Sequence, residues 1–452
     1  MRWADTDASE VTMKPSIVCL LALVISACAD PCRSTYTHGE TTRITVGSLT
    51  LERRAFTQGI CGPAFVRRSA LQANGEAELI VSNFHKQVAF TVPDGSLRAF
   101  TLNADLTDWT QRAIFEPEDA IKWPNATRVA DLNADGRQDV IVGTGFLTCQ
   151  LVPWTAPCGG LIWFEQTADR WVRHDVISPG NERFIHEGLP VDVDQDGDLD
   201  LVSVLESMRT PFGTDYAAEV IWFEALEPGR FATEPHRIGD GLGSLVEPHD
   251  VDGDGDVDLI SGEYFAGLGA SYTWMEQVEA PSSDEPAGVW VRHLIDDQSG
   301  PSIQFTLIED LFGDGLTRGV GSNHTNTTSN PDDPASEVAV YTPTADPRAP
   351  WTKQVISDDI ISRPGTGVAA PGIFGYGDAD NDGDIDLVVS GDGDPRIFLF
   401  EQTAPGEFVQ HTLEERLGQA GGMLIEDFDG DGDNELLVTG YEDNVLFIYS
   451  QP

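Results

Sequence analysis

The sequence predicts an all-β fold, a seven-bladed β-propeller of four-stranded blades. An acidic segment recurs seven times along the 452 residues, at steps of about 60 residues, and two apolar, strand-like segments follow each copy. The 45 Gly and 27 Pro residues favour many turns and short strands over long helices. Each repeat reads as strand, acidic loop, strand, connection, strand, tight turn, strand. Four antiparallel strands repeated seven times indicate a propeller.

The acidic segments define where each repeat begins. Five copies are closely alike and read DLNADGRQDVIV from Asp131, DVDQDGDLDLVS from Asp192, DVDGDGDVDLIS from Asp250, DADNDGDIDLVV from Asp378 and DFDGDGDNELLV from Asp427. Two copies are degenerate and read DLFGDGLTRGVG from Asp310 and ALQANGEAELIV from Ala70.

The predicted third and fourth strands carry recurring aromatic and histidine residues. The third strands include Trp163, Trp222 and Trp274, within LIWFE, VIWFE and TWMEQ. The fourth strands contain histidine at similar places, namely at His174, His236, His293 and His411. Repetition in register predicts packing between blades for the tryptophans and a structural role for the histidines.

The last repeat ends at NVLFIYSQP and lacks a fourth strand. The strand-like segment TRITVGSLTLERRAF, residues 42–56, precedes the first repeat. We predict that it supplies the missing outer strand, because this pairing closes the ring and removes an open sheet edge. The predicted propeller therefore spans residues 42–452.

The acidic loops have the ligand spacing of a calcium site. The pattern DxDxDGxxD places carboxylates at positions 1, 3, 5 and 9, with a backbone carbonyl at position 7, and this density of oxygens suits Ca²⁺. Gly at position 6 allows the chain to turn sharply around the ion. About five calcium ions are predicted. The expected ligand positions are Asp131, Asn133, Asp135, Arg137 and Asp139; Asp192, Asp194, Asp196, Asp198 and Asp200; Asp250, Asp252, Asp254, Asp256 and Asp258; Asp378, Asp380, Asp382, Asp384 and Asp386; and Asp427, Asp429, Asp431, Asp433 and Glu435.

The two degenerate loops are expected to differ from the other five. The loop from Asp310 has Phe312 at position 3 and Arg318 at position 9, and Arg318 is predicted to hold the remaining carboxylates in place of an ion. The copy from Ala70 has lost its first carboxylate and is expected to bind nothing.

These motifs resemble the FG-GAP/VCBS repeats, the calcium-loop repeats of integrin α-chain propellers and of many bacterial surface proteins. The resemblance covers nearly all of the predicted mature chain, although the Gly-Ala-Pro element is missing and only Phe374-Gly375 matches its start. It implies a propeller fold and calcium. It is poorly specific for activity, because the family includes adhesins, structural proteins and some carbohydrate-active enzymes.

A ligand site is predicted on the face opposite the acidic loops. Long and dissimilar connections lie there, at 145–160, 206–218, 321–337 and 357–372, and variable loops on a rigid scaffold commonly bind ligands. The candidate residues around the central channel are Trp123, Asn125, His186, Glu187, Arg209, Tyr216 and His324. Adjacent His186 and Glu187 are weak candidates for a general acid/base or metal pair. The alternative, a packed or surface histidine, is favoured. His249, directly before Asp250, is expected to belong to the surroundings of the calcium loop.

Three functions remain open, of which the third is a purely structural role. The first is a non-catalytic, lipid-anchored surface propeller that binds a protein or a glycan, since no GxSxG, HExxH, P-loop or GxGxxG motif is found. The second is a carbohydrate-active enzyme, a polysaccharide lyase or sugar dehydratase.

With 27 Lys+Arg against 75 Asp+Glu, the net charge of −48 excludes a nucleic-acid binder and a partner of anionic lipid.

The N-terminus predicts export. Residues 14–28 read KPSIVCLLALVISAC, a basic residue before a short apolar run, which is typical of a signal peptide. Acidic residues upstream point to a true start at Met13. The end of the run resembles a bacterial lipobox, which would make 1–27 the signal, Cys28 the lipidated residue and 28–41 a tether. The expected location is the cell envelope, as an outer-membrane lipoprotein or a secreted protein, with the lipid as its only membrane contact.

Four further cysteines are expected to form disulfides in an oxidising compartment. Cys149 and Cys158 flank a Pro-containing loop and are paired on that ground. Cys32 and Cys61 are paired by elimination.

Overall fold

In a computed structural model the described residues form seven antiparallel sheets of four or five strands, as predicted, and one small two-stranded sheet. Each of the seven has the strand that precedes an acidic loop at one edge. The structure describes residues 30–72, 75–86, 92–145, 156–208, 216–243, 245–264, 271–325, 336–363 and 368–452. In those ranges the only helix is one 3₁₀ turn, Pro117–Asp119, so no described helix has the length and apolarity needed to cross a membrane.

The first four blades each contain four strands in chain order, from the strand before the loop to the outermost strand. Blade 1 consists of β3 (Pro63–Ser69), β4 (Glu78–Asn83), β5 (Ser96–Leu102) and β6 (Trp109–Phe115). Blade 2 consists of β7 (Pro124–Ala130), β8 (Asp139–Thr144), β9 (Gly159–Gln166) and β10 (Trp171–Asn181). Blade 3 consists of β11 (Gly188–Val191), β12 (Asp200–Met208), β13 (Tyr216–Phe223) and β16 (His236–Asp240). Blade 4 consists of β17 (Glu247–His249), β18 (Asp258–Gly262), β19 (Tyr272–Glu279) and β20 (Val289–Asp296).

The last three blades follow the same plan. Blade 5 consists of β21 (Ser302–Ile308), β22 (Arg318–Asn323), β23 (Val338–Thr342) and β24 (Thr352–Ser357). Blade 6 consists of β25 (Phe374–Gly377), β26 (Asp386–Ser390), β27 (Ile397–Ala404) and β28 (Glu407–Glu414). Blade 7 contains β29 (Ala420–Glu426), β30 (Glu435–Gly440) and β31 (Val445–Ser450) from the C-terminal end of the chain.

The N-terminal segment closes blade 7, as predicted, but it does so with two strands where one was expected. β2 (Leu49–Phe56) pairs with β31, and β1 (Thr41–Val46) pairs with β2 as a fifth strand. The chain reverses between them at Gly47, whose φ of 56° lies in the left-handed region that glycine adopts without strain. Blade 3 also departs from the predicted tight turn, because the small hairpin of β14 (Ala225–Glu227) and β15 (Arg230–Phe231) lies between β13 and β16.

The core lies between neighbouring blades. Leu97 and Ile114 of blade 1, for example, pack in one buried cluster with Val140 and Ile162 of blade 2. Close packing continues at the centre of the ring, where a Cβ added to Gly421 of β29 would lie 1.9 Å from the Ala64 carbonyl oxygen of β3. Apolar faces that alternate along strands of adjacent sheets thus bury one another around the ring.

The residues before β1 are fixed to the seam between blades 7 and 1. Cys32 forms a disulfide with Cys61, which confirms that predicted pair. Asn444 donates its side-chain amide to the carbonyl oxygens of Pro31 and Arg33, at 3.0 and 3.1 Å. Cys158 is also disulfide-bonded. Its predicted partner Cys149 lies outside the described residues, as do Cys28 and the whole predicted signal.

Candidate functional site

The acidic loops share one hydrogen-bond pattern, which the loop from Asp192 illustrates. The backbone N–H groups of Asp196 and Gly197 donate to the two Asp192 carboxylate oxygens, at 3.1 and 3.0 Å. Gly197 has a φ of 100°, and the equivalent glycine is left-handed in each of the other six copies of the loop. The glycine predicted at position 6 is therefore required by the backbone, which turns so that the carboxylates at positions 1 and 3 approach each other.

The carboxylate at position 9 lies inside the blade. Asp200 is 1% exposed, and it accepts N–H bonds from Val193 at 2.9 Å and from Ala225 at 2.7 Å. Burial raises its pKa to about 7, the two N–H bonds lower the pKa, and Asp194 and Asp196 raise it further. Asp386 has the same surroundings and also a pKa of about 7. A buried carboxylate that faces other carboxylates favours either a proton or a bound cation.

Four loops bring three carboxylates together so that one oxygen of each lies within 4.8 Å of the others. These groups are Asp192, Asp194 and Asp200; Asp250, Asp252 and Asp254; Asp378, Asp380 and Asp386; and Asp427, Asp429 and Glu435. Carboxylate oxygens from positions 1, 3 and 9 or from 1, 3 and 5 are the donor set that Ca²⁺ prefers. The residues present therefore fit a hard divalent cation in these four loops.

The loop from Asp131 differs from these four. Arg137, at position 7, forms an ion pair with Asp135, and Asn133 replaces the carboxylate at position 3. Asp139 remains buried and accepts N–H bonds from Leu132 and Gln166, at 3.1 and 2.9 Å. The backbone framework is thus kept, while a side-chain cation already contacts one of the predicted ligands.

Arg318 takes the place of an ion in the loop from Asp310, as the sequence indicated. Its guanidinium donates to both carboxylate oxygens of Asp314, at 2.7 and 2.6 Å, and lies 4.2 Å from the Phe312 ring centroid. The hydrogen bonds from Arg318 hold the pKa of Asp314 at about 2. In the copy from Ala70, Arg112 similarly pairs with Glu78, at 2.8 Å.

Side chains of one blade also bind the acidic loop of the preceding blade. Third-strand glutamines donate to backbone carbonyl oxygens of the preceding blade's loop, from Gln277 to Val193 at 3.0 Å and from Gln402 to Leu311 at 2.9 Å. Arg348 of blade 5 pairs with both Asp252 and Glu276 of blade 4. The roles of Gln277, Gln402 and Arg348 were not identified from the sequence, because their partners are far away along the chain.

The recurring histidines have the predicted structural surroundings. His174 stacks on Trp163 with ring centroids 4.2 Å apart and contacts Glu165 at 2.9 Å. His411 contacts the equivalent Glu401 at 2.8 Å. Each is held by the third strand of its own blade.

A second set of residues occupies the face opposite the acidic loops. The fifteenth residue of every repeat, counted from the first residue of its loop motif, lies within two residues of the C-terminal end of the second strand of its blade. We name these seven residues the mouth ring: Phe84, Gly145, Glu206, Tyr264, His324, Asp392 and Tyr441. Because the seven blades are equivalent, one position of the repeat places seven residues around the central opening.

One side of the mouth ring is aromatic. Phe84 meets Trp123 edge-on, with ring centroids 4.8 Å apart, and Tyr441 at 6.1 Å. All three rings are half-buried, and they come from blades 1, 2 and 7. Asn125 fixes the backbone next to these rings, because its side-chain amide donates to the carbonyl oxygens of Gly145 at 2.7 Å and Ile185 at 3.1 Å.

The other side carries two histidines with a tyrosine between them. Buried His186 donates from Nδ1 to Glu206 at 2.5 Å. His324 donates from Nδ1 to the Pro371 carbonyl oxygen at 2.8 Å, and its Nε2 lies 3.6 Å from Asp392. The Tyr264 ring lies 5.9 Å from the His186 ring and 5.6 Å from the His324 ring, centroid to centroid.

The carboxylates behind the two histidines are buried. Glu206 is 0% exposed, and neither its Oε1 nor the Oδ1 of Asp392 has a hydrogen-bond partner among the residues that the structure describes. Burial raises the pKa of Asp392 to about 6, although His324 opposes this rise. The two histidines therefore have different surroundings.

The predicted ligand-face residues divide into three groups. Trp123, Asn125, His186 and His324 lie at the mouth. Glu187 points elsewhere, to Arg128 at 2.8 Å, so the carboxylate that His186 contacts is Glu206 and not its neighbour in sequence. Arg209 and the side chain of Tyr216 lie outside the described residues. His249 lies in β17, and burial lowers its pKa.

The sequence analysis missed Glu206, Tyr264, Asp392, Phe84 and Tyr441. A signal for them was present, since each occupies the fifteenth position of its repeat. Their residue types differ from blade to blade, so a search for recurring residue types cannot find them.

Comparisons with known proteins agree with the repeat assignment. An FG-GAP-like repeat model matches residues 192–261 and 378–438. A comparison with curated proteins found no match.

Among solved structures, an Agrocybe aegerita lectin that recognises non-reducing terminal N-acetylglucosamine has a TM-score of 0.45 and 16% identity, over 80% of this chain and 81% of that one. The Penicillium chrysogenum α-L-arabinanase has a TM-score of 0.44 and 10% identity, over 91% and 98%. The Streptococcus pneumoniae sialidase NanB has a TM-score of 0.39 and 11% identity, over 88% and 70%.

Proposed function

Because this chain is a seven-bladed propeller that contains FG-GAP-like repeats, we propose that it is a calcium-stabilised scaffold that binds a glycan at the mouth ring. The observation that carries the proposal is the convergence of Phe84, Trp123 and Tyr441 from three blades at one opening. The calcium part, the glycan part and the location outside the cytoplasm have separate support and separate tests.

The four gathered carboxylate groups support calcium. Each group holds three negative oxygens within 4.8 Å, and an ion that binds only the folded state stabilises it. Calcium would supply charge neutralisation to loops whose backbone is already arranged around the site. The ion would have no chemical role at the mouth, on the other face.

The calcium proposal predicts both a stoichiometry and a stability change. We expect about four to five ions per chain by elemental analysis, and one fewer in Asp386→Asn. Excess chelator should lower the melting temperature, and added calcium should restore it. Arg170→Gln, a change of an exposed residue in a turn, is the matched control. An unchanged melting curve in chelator contradicts the proposal.

The aromatic side of the mouth supports a glycan as ligand. Aromatic rings bind the apolar faces of sugars. The net charge of −48 disfavours polyanionic ligands. A neutral glycan therefore fits this surface better than an acidic one.

A glycan array probed with the calcium-loaded full chain tests this assignment. We expect binding to neutral glycans, and Trp123→Ala should weaken it about tenfold, equivalent to ~1.4 kcal/mol. Trp171→Ala is the matched control, because Trp171 lies on the outer strand β10 and contacts Arg112. Equal loss in both variants, or no glycan bound by the wild type, would rule out a glycan site at the mouth.

An extracytoplasmic location is supported by the disulfide between Cys32 and Cys61, since structural disulfides persist in oxidising compartments. The lipobox-like Cys28 adds a lipid anchor to the proposal. Cell fractionation with metabolic fatty-acid labelling tests both points. Cys28→Ala should abolish the label, whereas a label kept in that variant would exclude the anchor.

A further inference from the structure

We propose that Tyr264, flanked by His186 and His324, is an acid–base centre that hydrolyses ester substituents on the neutral glycan bound at the mouth. This inference rests on the proposed glycan-binding function and adds a reaction to it. It is drawn from the Tyr264 ring, whose centroid lies 5.9 Å from the His186 ring and 5.6 Å from the His324 ring, and from the buried carboxylate beside each histidine.

The two histidines are held for different roles. Glu206 accepts the Nδ1 proton of His186 at 2.5 Å, which fixes the tautomer whose Nε2 is basic. His324 uses Nδ1 for the Pro371 carbonyl, so its Nε2 faces the Asp392 carboxyl at 3.6 Å. Burial raises the pKa of Asp392 to about 6, which favours a proton on this carboxyl beside His324. A base on one side and an acid on the other is the arrangement that general acid–base catalysis requires.

The surroundings argue against other reactions. Glycosidic cleavage by two carboxyl groups requires both to flank the bond, but Glu206 and Asp392 lie buried behind histidines. Elimination from an acidic polysaccharide would bring a polyanion to a chain of charge −48. Attack of water on an ester needs none of these features.

The reaction balances with water as the only co-substrate. His186 removes a proton from water as the water oxygen bonds to the acyl carbon, and the Tyr264 hydroxyl donates a hydrogen bond to the oxygen that becomes negative. The ester C–O bond then breaks, and the departing sugar oxygen takes the proton that Asp392 holds beside His324. The products are the carboxylic acid and the free sugar hydroxyl. Proton exchange with solvent restores His186 and Asp392.

Tyr264→Phe is the decisive variant, because it removes one hydroxyl and keeps the ring. With acetylated xylan as substrate, we expect the wild type to release acetate and the variant to lose about 100-fold in kcat with little change in KM. His324→Gln should lose activity similarly. Glu206 is a positioning residue, so Glu206→Gln should lower kcat more than KM, and Glu206→Asp should restore part of the loss.

His411→Gln is the matched control, since His411 also contacts a glutamate but lies on the outer strand of blade 6. Melting temperatures of all variants identify any that fail to fold. Glycan binding without acetate release by the wild type overturns the acid–base centre and leaves the glycan site intact. Acetate release unchanged in folded Tyr264→Phe also overturns it. If the wild-type protein binds no glycan on the array, the proposed function itself is wrong.

Discussion

The ninth position of each acidic loop carries either a buried carboxylate or, in blade 5, an arginine. Asp386 is 1% exposed and faces Asp378 and Asp380 across the loop. Arg318, at the same position of its repeat, contacts Asp314 with both guanidinium nitrogens. In blade 5 the loop thus carries its own cation at the position where the other loops place a carboxylate.

Arg318→Met tests this distinction at a single site. The variant removes the guanidinium that lies over Phe312 and pairs with Asp314, so Asp314 loses its positive partner. We expect the melting temperature in saturating calcium to fall by roughly 2–5 °C. The matched change Arg230→Met, in an exposed pair with Glu227, should have almost no effect. Equal effects of the two changes would contradict a structural role for Arg318.

At the scale of elements, the strands and their order could be predicted from the period of the acidic motif. The β1–β2 hairpin could not, because TRITVGSLTLERRAF reads as one strand until Gly47 is seen to turn. The β14–β15 hairpin was missed in the same way, since Glu227-Pro228-Gly229 reads as one tight turn. In both cases a short turn divides a segment that reads as one element in the sequence.

The disulfide between Cys32 and Cys61 encloses this closing hairpin, with 29 residues of separation. Loop-closure entropy over that length is worth about 3–4 kcal/mol. The double variant Cys32→Ser, Cys61→Ser should lose roughly that much free energy of unfolding in denaturant titrations. Hydrogen exchange should rise first in β2 and β31, while β18 in blade 4 serves as the internal control. Uniform loss of protection across all blades would contradict a local clamp.

At the scale of the whole molecule, much of the charge of −48 is concentrated in the acidic loops. The five closely alike loops hold many of the 75 acidic residues, and five bound Ca²⁺ ions would reduce the net charge to about −38. The repeat predicted these loops well, because their ligands are local in sequence. The mouth ring was predicted only in part, because its contacts join residues of different blades, as between Tyr264 and His324.

The position-9 carboxyls give the metal-free protein a specific pH dependence. Their pKa values in the fold are about 7 for Asp200 and Asp386, above the ordinary value of 3.8. A carboxyl with a raised folded pKa contributes stability below its unfolded pKa, and that contribution is lost as pH rises through the folded pKa. In chelator, the melting temperature should therefore fall between about pH 4 and pH 7.

Calcium should reverse this trend, since an ion favours the ionised carboxylates. The gap in melting temperature between the calcium-loaded and the chelated protein should widen as pH rises from about 5 to 7.5. Differential scanning calorimetry at several pH values measures it. A gap that stays constant across this range would show that the buried carboxyls do not take part in ion binding.

The disulfide at the seam also determines how the molecule carries tension. A pull on the chain from the N-terminal side of Asp30 reaches Cys32 and passes through the sulfur–sulfur bond directly to Cys61, at the start of blade 1. Strands β1 and β2 lie inside the covalent loop, so the load bypasses them. The hydrogen bonds that close the ring between β2 and β31 are thereby shielded from unzipping under mechanical force.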